Sequence, residues 1–245
     1  MKLNDSPLLS HEDIARISAI TSSMYKKGAF VFQAGTPGKN IYLLNKGRIK
    51  LYRLSPTGKE ITQWFCFPGE VFGLAELPSN KQRSIYAQCC ENCEVTTIPL
   101  NQFKNLLATS PEIAIQVIEQ LSLRLKIVGN TLLNVTADDS RSRIIKLLIR
   151  LSKRFGVECN NGILIDVVLT HKELADMVGT CRQTVTTMIG DLKRDGYIEY
   201  VNHLIVIHSM SAFEALTIPG QTNAPIVNKG PVQYTNPGSD RGLNI

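Results

Sequence analysis

A set of apolar residues in this chain recurs at intervals that only a continuous helix brings onto one side. Ala114, Ile118, Leu121, Leu125, Val128, Leu132 and Val135 are spaced 4, 3, 4, 3, 4, 3, an uninterrupted heptad seam. A stripe of that length has to be covered, by the rest of the chain or by a second copy. Ile113, Val117 and Ile127 lie off the seam on the same segment. One stripe can therefore pack on the chain's own fold while the other meets an identical helix. We read residues 111–136 as a dimerisation helix and expect a homodimer; the competing reading is a helix buried inside a monomer. Gly129 falls inside this helix, at a cost of roughly 1 kcal/mol relative to alanine. It either admits a close approach of partner or ligand or is a tolerated defect.

The pattern differs on each side of that helix. From Lys26 to about Leu100, short runs rich in β-branched and aromatic residues alternate with turns. The turn signals return often enough to predict a small β-sandwich or barrel. Gly47, Gly58, Gly69 and Gly73 fall between the runs, where positive φ is often needed. Ahead of this, residues 10–21 predict a short amphipathic helix opened by Ser10. After the seam, "TADDSRSR" (136–143) breaks the apolar pattern and predicts a hinge. A helix over about 141–155 follows, then a hairpin in "GVECNNGILIDVVL" and a second in "YIEYVNHLIVIHS", turning at Asn202-His203. The expected fold class is α+β. From 217 to 245 the composition shifts to Pro, Gly, Asn, Thr and Ser, which predicts a disordered tail.

Between the two hairpins stands "LTHKELADMVGTCRQTVTTMIGDLKRDGYI" (169–198). Thr170 and Glu173 have capping-box spacing, so a helix should begin at His171. Leu174, Ala175 and Val178 share one face, and Gly179 supplies a turn. Thr180 and Gln183 repeat the box spacing, which predicts a second helix starting there. Val185, Met188, Ile189 and Leu192 form its apolar face; Arg182, Gln183, Thr184, Thr186 and Thr187 form the opposite one. Two short helices about a glycine, the second opening on polar residues, fit a helix-turn-helix over about 170–190. Such a helix puts its N-terminal side chains on base edges in the major groove of double-stranded DNA. Arginine can take guanine O6 and N7, glutamine adenine N6 and N7, and threonine a phosphate or a thymine methyl. The competing reading is a packing hairpin with solvated polar residues; the following β-hairpin, placed as a wing, favours DNA. The helix over 141–155 carries six basic residues and no acid, which adds candidate contacts to the DNA backbone.

Charge and composition set the remaining bounds. The net charge is +6 from 27 basic and 21 acidic residues, which permits a polyanionic partner without demanding one. No apolar run is long enough to span a bilayer, so we expect no membrane partner. The opening residues carry acids early and lack an h-region; a cytoplasmic protein with reduced cysteines is expected.

β-rich sensor, heptad helix, hinge, helix-turn-helix and wing, in that order, resemble the CRP/FNR superfamily of bacterial transcription regulators. "GKNIYLLNKGRIKLYRLSPTGKEIT", "PGEVFG", "RSRIIKLLIRLSKRFGV" and the 169–198 stretch carry the resemblance. It covers nearly all of residues 10–210. "RFGVECNNGILIDVVLTHKELADMVGTCRQTVTTMIGDL" is most similar to the nitrogen-responsive, NtcA-like cyanobacterial branch. The resemblance implies a cyclic-nucleotide-binding-type β-roll (24–108), a dimerisation helix (111–136) and a winged helix-turn-helix domain (140–210). It implies a homodimer on a palindromic operator, a small-molecule effector, and RNA polymerase as a further partner. Thr180, Arg182, Gln183, Thr184, Thr186 and Thr187 are the implied DNA-binding residues. The family often has arginine where this chain has Thr187, so its operator is expected to differ.

For the effector, the resemblance points two ways. The arginine-serine pair that grips a cyclic phosphate matches Arg83 and Ser84. The ribose-binding glutamate falls on Leu74, with Glu76 nearby, and the adenine contacts fall on Val128 and Gly129. The phosphate grip matches cAMP and the nucleoside grip does not. The NtcA-like branch implies 2-oxoglutarate, held by the loop residues Phe72, Gly73, Leu74 and Ala75 and by Arg83 and Arg124. Two arginines suit a dicarboxylate through paired hydrogen bonds. A glutamate of that site falls on Gly129, and Arg124 stands where other members use arginine structurally. The plain alternative for Arg83 is a surface charge.

"CCENC" (89–93) invites a metal or redox role. An iron–sulfur cluster usually takes four cysteines, and Cys66 is the one candidate fourth. Cysteines in strands are more often small buried hydrophobes, and no metal or cofactor is expected. His11, His171, His203 and His208 show no ligand spacing; His171 reads as a helix-start residue. A cupin-like enzyme needs clustered His and carboxylate ligands on strands, and residues 26–100 contain no histidine. No catalytic residue is expected. A pure ligand-binding module remains as an alternative, but leaves 169–207 without a role.

Overall fold

The computed structural model describes residues 21–75, 82–137 and 139–217, with side chains for all of these except 130–137. The expected helix at 10–21 therefore lies outside the described residues, except for Thr21 itself, which begins a strand. Glu76 and the tail beyond 217 also lie outside them. The chain divides into two compact units, one ending at Thr131 and one from Leu132 onward.

The first unit holds two antiparallel four-stranded sheets. One contains β1 (Thr21–Tyr25), β3 (Asn40–Lys46), β6 (Val71–Phe72) and β8 (Cys93–Pro99), in the order β1-β8-β3-β6. The other contains β2 (Phe30–Phe32), β4 (Ile49–Leu54), β5 (Glu60–Cys66) and β7 (Tyr86–Cys89), in the order β2-β7-β4-β5. Strand β3 shows why the run "IYLL" has no polar positions. Tyr42 and Leu44 join the apolar cluster of Phe32, Ile49 and Phe72, while Ile41 and Leu43 join a second cluster with Phe103 and Leu106. A strand covered on both faces reads as a continuous apolar run.

Phe103 and Leu106 belong to α1 (Leu100–Thr109), which leads into α2 (Pro111–Ala137). The two stripes of α2 separate as the spacing predicts. Ile113 and Val117 are buried in the same cluster as α1. On the seam, Ile118 is 61% exposed, Leu121 43%, Leu125 74% and Val128 52%. Ile115, not counted in the seam, is also exposed. The helix runs unbroken through Gly129, where an added Cβ meets open space.

In the second unit, α3 (Ser140–Phe155) begins with the Asp139 carboxylate accepting from the Ser142 N–H at 2.7 Å. The strands β9 (Gly156–Cys159), β10 (Gly162–Ile165), β11 (Ile198–Val201) and β12 (Leu204–Ile207) form one sheet, ordered β11-β12-β10-β9. The second hairpin turns at Asn202 and His203, at φ 49° and 66°, the pair of positive values a two-residue hairpin turn requires. Between the hairpins lie α4 (His171–Val178) and α5 (Arg182–Arg194). One core joins them to α3 through Ile144, Leu148, Leu174, Val185 and Ile189. A last helix, α6 (Met210–Ala215), was not expected. It buries Phe213 completely in this core, so the packed unit continues beyond residue 210.

Candidate functional site

Thr170 caps α4 with both bonds of the capping box: its hydroxyl accepts from the Glu173 N–H, and the Glu173 carboxylate accepts from the Thr170 N–H. Gly179 ends the helix in the left-handed region at φ 70°, a conformation that costs other residues. The second helix starts later than its spacing predicts. Cys181, not Thr180, is the N-cap of α5, and the Thr180 N–H instead bonds back to Ala175 O in the turn. Two cap-competent positions stand together here, and closing the turn uses up the first.

Cys181, Arg182 and Gln183 are exposed at the start of α5, as are Thr186 and Thr187 further along. Val185, Ile189 and Leu192 are buried and Met188 is half-buried, so the two faces separate as expected. The threonines are more committed than the sequence suggests. Thr184 is half-buried and its hydroxyl meets Cys181 Sγ at 3.1 Å. That bond, and then the Thr184 N–H, draw the Cys181 thiol below its ordinary value. Thr186 and Thr187 donate back to Arg182 O (2.9 Å) and Gln183 O (3.2 Å). The Thr186 and Thr187 hydroxyl hydrogens are thus spent on the helix's own backbone.

The basic run on α3 is partly neutralised at home. Arg141 faces Asp195 at 3.6 Å and Lys153 faces Glu214 at 2.9 Å. Burial, followed by the nearby Arg154, lowers the Arg150 pKa. Fewer of these charges are available to phosphate than their number implies.

In the first unit, the loop after β6 is held from two sides. Arg83 is not a surface charge: it is 2% exposed, with its guanidinium carbon 4.3 Å from the Phe32 ring centre. It donates to Gly73 O at 2.8 Å and to Asn40 O. Gly73 sits at φ 81°, and a Cβ there would lie 2.9 Å from the guanidinium, so only glycine admits this approach. Phe72 is fully buried and stacks on Tyr42, 5.3 Å between centres; only its backbone can meet a ligand. Leu74 is half-buried, while Ala75 and Ser84 are exposed.

On the other side, α2 grips the strand that precedes the loop. Gln120 donates to Gly69 O at 2.9 Å and accepts from the Val71 N–H at 3.2 Å. One turn on, Arg124 donates to Val71 O (2.7 Å) and to the buried Glu70 carboxylate (2.9 Å), which also accepts from Trp64 Nε1 (2.9 Å). The two arginines thus hold carbonyls two residues apart, Arg124 that of Val71 and Arg83 that of Gly73. Val128, one turn beyond Arg124, lies on the exposed seam. Glu70, Gln120 and Trp64 were missed in the sequence. Gln120 and Arg124 do extend the buried stripe of Ile113 and Val117 by spacings of 3 and 4, the one signal that could have found them.

Two family models match the chain: a cyclic nucleotide-binding domain over residues 23–110 and a Crp-like helix-turn-helix domain over 142–216. A "Global nitrogen regulator" of Nostoc sp. is 32% identical over 186 residues, covering 75% of this chain and 83% of that protein. The chain belongs to the CRP/FNR family of transcription regulators. Within that family it is similar to the NtcA-like branch, since further cyanobacterial nitrogen regulators match as well. A "CRP-like cAMP-activated global transcriptional regulator" of Mycobacterium tuberculosis is 27% identical over 195 residues, covering 78% of this chain and 87% of that one. In fold, a CooA mutant from Carboxydothermus hydrogenoformans matches with TM-score 0.75 at 23% identity, covering 89% of this chain and 98% of that one. CRP/FNR regulators bind DNA as homodimers and respond to small effectors. Among the described residues, no helix of this regulator is long and apolar enough to cross a membrane.

Proposed function

We propose that this CRP/FNR regulator binds a palindromic operator as a homodimer paired along α2, with one α5 in each of two adjacent major grooves. It works as a binding switch in the cytoplasm and performs no catalysis. The division of labour is an effector-sensing β-roll over 24–108, a pairing helix over 111–136 and a winged DNA-binding domain that starts at 140 and runs past residue 210 to include α6. One observation carries the DNA reading: Arg182 and Gln183 are exposed at the first turn of a helix whose opposite face is buried. Arg182 takes guanine O6 and N7, and Gln183 takes adenine or a phosphate. Thr180, Thr184, Thr186 and Thr187 flank them. RNA polymerase is the partner through which operator binding would change transcription.

The effector is a small anion seated on the backbone of Phe72, Gly73, Leu74 and Ala75, with Arg83 and Ser84 beside it. Arg124 links that loop to the pairing helix, and Val128 lies next along it. The likeness to nitrogen regulators favours 2-oxoglutarate over a cyclic nucleotide. Ligand that shifts the 69–75 backbone shifts what Gln120 and Arg124 hold, and so biases α2. Calorimetric titration with 2-oxoglutarate, cAMP and cyclic di-GMP in parallel tests this; heat from 2-oxoglutarate alone is expected, and heat from a cyclic nucleotide alone reverses the choice. Arg182→Ala should weaken binding to the selected operator by about 1–3 kcal/mol while leaving non-specific binding nearly unchanged. Unchanged operator affinity removes Arg182 from the reading.

A further inference from the structure

The His171 ring, carried at the start of α4, meets two other elements of the winged unit. Its Nδ1 is 2.9 Å from Thr186 Oγ1 on α5, and its Nε2 is 3.3 Å from the Tyr200 hydroxyl on β11. Thr186 Oγ1 is also 2.9 Å from Arg182 O. With the ring neutral, these bonds admit one placement of hydrogens. A carbonyl only accepts, so the Thr186 hydrogen goes to Arg182 O. Thr186 Oγ1 then accepts, and His171 Nδ1 carries the hydrogen it accepts. Nε2 is left as an acceptor, and the Tyr200 O–H donates to it. Burial and the neighbouring Arg182 both disfavour the charged ring, in keeping with this neutral form.

Two bonds therefore hold Thr186 Oγ1 in place, and a β-branched side chain with one branch fixed has the other fixed too. The γ-methyl is the part of this exposed residue with no hydrogen bond to make. Resting on the recognition-helix reading above, we propose that His171 is a positioning residue: it commits the Thr186 hydroxyl to the protein so that Thr186 offers DNA a methyl group. That methyl selects a thymine 5-methyl at one base pair of each half-site. Apolar contact between a threonine methyl and a thymine methyl is an established kind of major-groove pairing.

The test begins with an operator selected by the full-length protein from random duplexes. Each thymine is then replaced singly by deoxyuridine, which removes only the 5-methyl. At one thymine per half-site the wild type should weaken about fourfold, the worth of one apolar carbon taken from water. Thr186→Ser, which keeps the hydroxyl and loses the methyl, should be indifferent to that replacement. His171→Leu should lose the same discrimination, with its unfolding midpoint checked. His171→Asn should regain it, because asparagine Nδ2 carries its hydrogens one bond beyond Cγ, as Nδ1 does. Wild-type indifference to every thymine replacement, or a Thr186→Ser protein that still senses the methyl, overturns the methyl contact. A folded His171→Asn protein that has lost the discrimination overturns the positioning role. A wild type that selects no sequence at all removes the recognition-helix reading itself, and this inference with it.

Discussion

At the scale of single residues, most of the regulator's functional positions are already bonded within the fold, and their bonds decide what substitution does. Arg124 is the sharpest case. Its guanidinium faces a Glu70 carboxylate that is 3% exposed, and removing one member of a buried ion pair costs about 3–5 kcal/mol. Arg124→Ala should therefore lower the stability of the β-roll by about that amount in chemical denaturation, because a buried carboxylate loses its cation. Arg124→Lys should lose less. An Arg124→Ala protein of wild-type stability that has lost only its effector response would make Arg124 a ligand residue and not a strut. Arg83 differs in kind: it packs on Phe32 and holds Gly73 O, so the anion proposed for this loop would have to compete with a carbonyl for a guanidinium already in place. The cysteines of "CCENC" divide along similar lines. Cys89 and Cys93 are buried in strands, and the Cys89 thiol is pushed up by its hydrogen bond to Cys93 and by burial. They pack as small apolar groups.

At the scale of elements, legibility followed the range of the interaction. The helix at 111–137 was plain because its signal repeats along its own length. So were the Thr170 cap, the Gly179 turn and the Asn202-His203 hairpin, each set by a few neighbours. The start of α5 was off because Thr180 and Cys181 compete for one cap, and closing the turn decides between them. The last helix, α6, was missed because its six residues are too few to show a period; the Ser209 cap and Phe213 in the common core show why it forms. The clamp of Glu70, Trp64, Gln120 and Arg124 was illegible because its members come from distant parts of the chain, Glu70 and Arg124 alone lying 54 positions apart. The alternative that Arg83 is a surface charge failed similarly, since the aromatic neighbours that bury it, Phe32 and Tyr42, come from distant strands. The exposed seam supports a direct test. Ile118→Lys with Leu125→Lys places like charges along the pairing face and should make the protein monomeric in sedimentation at micromolar concentration, with the β-roll still folded. A dimer of undiminished strength would place the interface elsewhere.

At the scale of the whole molecule, the chain holds two compact units, each with its own buried core. The net charge of +6 is modest, and part of the α3 charge is spent on Asp195 and Glu214. Specific affinity therefore has to come from two recognition helices acting together more than from a general attraction to phosphate. DNA presents equivalent groove faces only once per turn, about 34 Å, so the proposed two-fold pair needs its recognition helices at that separation. The most direct measurement compares affinity for the selected operator with affinity for the same half-sites moved apart by about five base pairs, half a helical turn. The regulator should lose its tight, two-chains-per-duplex binding on the altered spacing and keep only half-site affinity. Equal affinity for both duplexes, or a single chain bound to each, would contradict the paired geometry on which the account rests.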